Sequence, residues 1–104
     1  MTLEDLQARC RDFMAAVEAA EAAHDISHVN RVVTNVVALT RAEDANPWIT
    51  LPAAWLHDCV AVAKDSPWRA QGYKLAAKAA IDFLGSIDYP QQWLADVYQF
   101  ITGG

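Results

Sequence analysis

Apolar positions recur along this chain at helical spacing. Leu3, Leu6, Cys10, Phe13, Met14 and Val17 mark one face, with Thr2 placed to cap it and Asp5 three residues on as an Asp version of a capping box. The pattern fades through the Ala-rich residues 15–23. Val29, Val32, Val33, Val36 and Val37 then follow i, i+3, i+4, i+7, i+8, and Leu39 widens the stripe. Five valines favour a strand by propensity alone. The 3.6-residue period overrides that preference, because Asn30, Arg31, Thr34 and Asn35 gather on the opposite face.

Asp25 or Ser27 can cap this second helix. Residues 43–47 read as a loop. Thr50-Leu51-Pro52 looks like the start of a third helix, with Pro in the first turn, where its missing N–H costs nothing. Residues 53–60 are apolar on almost every side, so that helix is expected to be central. Ser66-Pro67 offers another cap-plus-Pro start. A fourth helix then runs to Leu84, with a possible break near Gly72, a buried stripe of Tyr73, Ala76, Ala77, Ala80, Ile81 and Leu84, and Gly85 as its C′ residue. Asp88 and Pro90 open the last helix, where Trp93, Leu94, Val97, Tyr98, Phe100 and Ile101 form an apolar face wider than one neighbour covers. No segment alternates polar and apolar for long enough to make a strand. The expected fold is an all-α bundle of about five helices.

Composition agrees. Of 104 residues twenty are Ala, against four Gly and four Pro, and the length suits one domain. A formal net charge of −5 disfavours a nucleic acid polymer as ligand. No apolar run approaches the length of a membrane span. Acids at Glu4 and Asp5, where a secretory leader carries bases, point to a cytoplasmic protein. Cys10 and Cys59 read as small buried hydrophobes rather than a disulfide framework.

The candidate chemistry starts from three histidines, His24, His28 and His57. An isolated His is ordinarily structural. His57-Asp58, however, follows four apolar residues, and an unpaired carboxylate in an apolar helix is costly to bury. A partner such as Arg31, a helix N-terminus or a metal would satisfy it. Adjacent side chains on a helix diverge by about 100°, so His57 and Asp58 can share only a cation beside the helix, with a third donor from elsewhere. His28 is the obvious one. Mixed His/Asp ligation suits Mn²⁺, Fe²⁺, Zn²⁺ or Ni²⁺. The string His24-Asp25-Ile26-Ser27-His28 superficially suggests a zinc-protease helix, but it has Asp in place of Glu and no third ligand downstream.

Three ordered strings carry a resemblance: His24-Asp25-Ile26-Ser27-His28-Val29-Asn30-Arg31-Val32, then Ala53-Ala54-Trp55-Leu56-His57-Asp58, then Lys64-Asp65-Ser66-Pro67. Over roughly residues 20–101 the chain resembles the HD-domain metal-dependent phosphohydrolases, in particular the small bacterial members. The resemblance implies an all-α fold and a divalent metal centre (Mn, Mg, Fe, Ni or Zn), with water attacking phosphorus. It assigns His28, His57 and Asp58 as metal ligands, Asp58 also to orienting the water, and Lys64 to holding phosphate. His24, Arg31 and Ser66 join Lys64 as substrate contacts.

Independent of the resemblance, Lys64, Arg69, Lys74 and Lys78 against Asp65 make residues 64–78 a +3 segment in an acidic protein, and Ser66 opens a helix whose N-terminus attracts anions. A nucleotide or other small phosphate ester is the expected substrate, with Trp55 and Trp68 as candidate stacking surfaces, though core packing is the commoner use of both. HD enzymes carry a further Asp ligand on a later helix. Residues 97–104 hold no Asp and no His, and the chain reads as the front portion of such a domain. An inactive, truncated HD scaffold, or a helical module dimerising through its apolar last helix, is therefore the alternative.

Overall fold

The structure, a computed structural model, describes residues 1–20, 26–60 and 71–103, and the side chains of all of these except 18–20 and 26. Among the described residues every regular element is helical: α1 (Leu3–Ala20), α2 (Ile26–Ala42), α3 (Pro47–Leu56), α4 (Gly72–Ser86) and α5 (Leu94–Thr102), with a 3-10 turn at Gln91–Trp93 leading into α5. The expected all-α architecture is present. No helix among the described residues is long and apolar enough to cross a membrane.

The α1 cap forms as the sequence predicts. The Thr2 backbone N–H donates to Asp5 Oδ2 at 3.2 Å, and the Asp5 N–H donates to Thr2 Oγ1 at 3.1 Å. The two residues thereby satisfy each other's orphan donors. Leu6, Cys10 and Met14 are buried along this helix.

α3 is central. It packs against α1, α2, α4 and α5, and every residue from Leu51 to Leu56 is buried. Its start corrects the expectation. The helix begins at Pro47, not near Thr50, with Asn46 as the N-cap whose Oδ1 accepts from the Trp48 N–H at 3.0 Å. Pro47 takes the tolerated first-turn position, which leaves Pro52 inside the helix. A Pro at 52 cannot donate to the Trp48 carbonyl four residues back. The Tyr89 hydroxyl donates to that carbonyl instead, at 2.6 Å. Tyr89 is buried, and burial above all, then the charge of Asp96, raises the pKa of its hydroxyl.

α2 runs antiparallel to α3. At one end of the pair the Thr40 and Thr50 hydroxyls are 2.8 Å apart, with Thr40 also donating to the Val36 carbonyl. At the other end His28 faces His57. Val29 and Val33 are buried and Val32, Val36 and Val37 partly so, as the period requires, while Asn30, Arg31, Thr34 and Asn35 are exposed. Leu39 does not extend the stripe, being 58% exposed.

α4 and α5 pack as a second hairpin against this core. Ala76, Ala77, Ala80 and Leu84 are buried, but Tyr73 is 61% exposed and lies outside the stripe expected for it. Tyr73 is the second residue of α4, at the open end of the helix, and the buried stripe begins only at Ala76. Gly85 is not the C′ residue. α4 continues to Ser86, and the left-handed position falls to Asp88 (φ 63°), where the Tyr89 N–H reaches back to the Leu84 carbonyl at 3.3 Å. Phe13 of α1 stacks on Phe83 of α4, with centroids 4.3 Å apart. On α5 Val97 and Ile101 are buried, while Tyr98 and Phe100 are exposed, consistent with an apolar face wider than its neighbours cover.

Cys10 and Cys59 are both free and buried. Burial pushes the Cys10 thiol up to about 12 and Cys59 up to about 11. The Cys59 thiol donates to the Ala76 carbonyl at 3.3 Å.

Candidate metal and phosphate site

The end of α3 decides the local geometry. The helix stops at Leu56 instead of running on to Val60. His57 is its C-cap, Asp58 lies in the following turn, and the Cys59 N–H closes back on the Leu56 carbonyl at 3.2 Å. Carbonyls in the last turn of a helix lack intrahelical partners. His57 supplies one: its Nδ1 lies 2.7 Å from the Ala54 carbonyl oxygen. A carbonyl has no proton to give, so Nδ1–H is the donor. In the neutral ring the lone pair is then on Nε2. A metal-binding imidazole is ordinarily held this way, with one nitrogen donating to a backbone oxygen and the other left for the cation.

His28 sits in the first turn of α2, and its ring centroid is 6.2 Å from that of His57, with the planes tilted by 54°. Two imidazoles sharing one cation through bonds of ~2.1 Å have centroids at most ~6.4 Å apart, and ~5.2 Å apart at a tetrahedral angle. The observed separation lies within the first value and about 1 Å beyond the second. His28 is exposed and His57 half-buried.

The expected burial of Asp58 is not met: it is exposed in a turn, not enclosed in an apolar helix. The 100° divergence expected of helical neighbours does not govern His57 and Asp58, since both stand beyond the last residue of α3. Among the described residues no group of three or more His, Cys, Asp or Glu is spaced to hold a metal ion, so His28, His57 and Asp58 do not form a closed three-ligand cage.

Of the expected substrate contacts, Arg31 is exposed on α2, one turn beyond His28, where it lines an open groove with Asn30, Thr34 and Asn35. Lys74 and Lys78 are exposed on one face of α4. His24, Lys64 and Ser66 lie outside the described residues, as do Asp25, Asp65, Pro67, Trp68 and Arg69. Trp55 is a core residue, 6% exposed, with its indole N–H donating to Gln7 Oε1 at 3.3 Å, so it offers no face for a base to stack on.

Sequence reasoning passed over a cleft at the far end of α2, between the start of α1 and the α2–α3 connection, which Gln7, Arg41 and Asp44 line. Its signal was faint: Arg41, Glu43 and Asp44 look like an ordinary charged helix end.

Compared with protein-family models, with curated proteins and with solved structures, the chain has no match in any of the three.

Proposed function

We propose that this chain is an HD-type metal-dependent phosphohydrolase acting on a nucleotide or another small phosphate ester. The observation that carries the reading is the approach of His28 to His57 across the open end of the α2–α3 hairpin, with His57 Nδ1 tied to the Ala54 carbonyl. Two residues separated by 29 positions, both assigned as ligands from the HD-like motifs, lie with ring centroids 6.2 Å apart, and the His57 Nδ1–H bond leaves its Nε2 lone pair outside that bond, which supports the reading. A divalent cation bound there supplies Lewis acidity toward a phosphoryl oxygen and lowers the pKa of water. In this reading His28 and His57 hold the cation, and Asp58, exposed beside His57, orients water and accepts its proton. Arg31 and Lys64, with His24 and Ser66, offset charge on the phosphate.

The alternative is an inactive HD scaffold that keeps His28, His57 and Asp58 without turnover. Metal analysis of the purified protein, followed by phosphatase assays with Mn²⁺, Mg²⁺ or Ni²⁺ on nucleotide and small phosphate-ester substrates, separates the two. Metal-dependent turnover abolished by Asp58→Ala is the expected result. Bound metal without turnover on any of these substrates supports the scaffold instead.

A further inference from the structure

The cleft at the other end of α2 has a chemistry of its own. From His28 to Arg41 is thirteen residues of helix, or ~20 Å at 1.5 Å per residue, so the cleft is remote from the histidine pair. Its volume of ≈ 350 Å³ lies near the bottom of the ~300–1,000 Å³ range of small-ligand sites. That suits a molecule of amino-acid size better than a nucleotide.

Leu3, Val37 and Leu51 give the cleft apolar walls, while Arg41 and Asp44 place one charge of each sign on its lining. Neither charge is engaged in an ion pair among the described residues. Gln7 also lines it. The Gln7 Oε1 accepts the Trp55 indole N–H, so the two amide N–H donors of this lining residue lie outside that bond. Asp44 is fixed by the backbone: it takes the left-handed conformation (φ 53°) after α2, and the Ala45 N–H closes the helix end on the Thr40 carbonyl at 3.0 Å.

From this lining we propose that the cleft binds a free α-amino acid with an apolar side chain. The carboxylate meets Arg41 and the Gln7 amide, the ammonium meets Asp44, and the side chain lies against Leu3, Val37 and Leu51. One guanidinium and one carboxylate on a single small cleft with apolar walls match a zwitterion, whereas a phosphate ester or a fatty acid leaves Asp44 facing like charge or no charge.

Thermal-shift and calorimetric titration with L-leucine, 4-methylpentanoate (no ammonium) and 3-methylbutylamine (no carboxylate) test it. Saturable binding of L-leucine is expected, with each analogue at least ~10-fold weaker, since each lacks one charge-assisted contact. Arg41→Gln and Asp44→Asn should each weaken L-leucine by a similar factor. Asn keeps the left-handed conformation accessible, and circular dichroism checks that both variants stay folded. His28→Ala/His57→Ala should bind L-leucine as the wild type does, which keeps the result independent of the phosphohydrolase reading. Absence of saturable L-leucine binding, an analogue binding as tightly as L-leucine, or unchanged affinity in Arg41→Gln and Asp44→Asn each overturns the proposal.

Discussion

At the scale of single residues, two devices hold this fold that a composition count does not reveal. Pro52 removes the N–H that would meet the Trp48 carbonyl, and Tyr89, 37 positions away, donates to it instead. A carbonyl left unpaired in the interior costs about 1–3 kcal/mol, and the Trp48 carbonyl is partly buried, so Tyr89→Phe should destabilise by about 1 kcal/mol or more in urea unfolding. In a Pro52→Ala background the helix regains its own donor, and the penalty of Tyr89→Phe should fall below ~1 kcal/mol. Equal penalties in both backgrounds would break the link.

Asp5 is the other device. Hydrogen bonds first from the Thr2 backbone and then from the Thr2 hydroxyl hold its carboxyl below the ordinary 3.8. Its folded value is thus lower than its unfolded one. The stability it contributes is present above 3.8 and lost as the pH falls through the lower folded value. Wild type should therefore exceed Asp5→Asn in stability near neutral pH, and the difference should vanish in acid, as paired denaturation curves across that range will show. The capping box was legible in the sequence because its partners are three residues apart. Tyr89 was not, because its acceptor exists only once the chain has folded.

At the scale of elements, hydrophobic period identified the helices and misplaced their ends. The valine stripe of α2 survived its strand-favouring propensity because Val29 and Val33 pack into a core that only a helix presents correctly. The start of α3 was misread because two prolines competed for the first turn, and the choice went to Pro47, where Asn46 can cap. At the end of α4, Gly85 looked like the terminator, yet Asp88 adopts the left-handed conformation three residues later. Gly85 is exposed within the last turn, with nothing within 4 Å of an added Cβ. Gly85→Ala should therefore stabilise by ~0.5–1 kcal/mol. Asp88→Gly should also stabilise, by ~0.5–1 kcal/mol, because glycine enters the left-handed region without steric cost. Thermal melts measure both; a loss of stability in either variant would contradict the cap assignment.

At the scale of the whole molecule, α3 is the hub. Packed against the four other helices of the described residues, it sets the α2–α3 hairpin that brings Thr40 to Thr50 at one end and His28 to His57 at the other. The sequence pointed to His28 and His57 through their motif context, and to Asp58 through a burial that the fold does not impose. Depth and ring orientation were not legible, because both follow from where α3 stops: one residue further and His57 would be an ordinary helical side chain with no free carbonyl to grip. The acidic chain's basic positions at Lys74 and Lys78 remain exposed, as a solvated or phosphate-facing surface requires.

The claim on which the functional account rests is that these two imidazoles take one divalent cation together. Calorimetric titration of the wild type, His28→Ala and His57→Ala with Mn²⁺ and Ni²⁺ measures it directly. Shared ligation requires one equivalent of metal bound by the wild type and affinity at least ~10-fold lower in each single variant, the loss expected when a supporting or ligating group is removed. No stoichiometric binding by the wild type, or affinity unchanged in either variant, contradicts it.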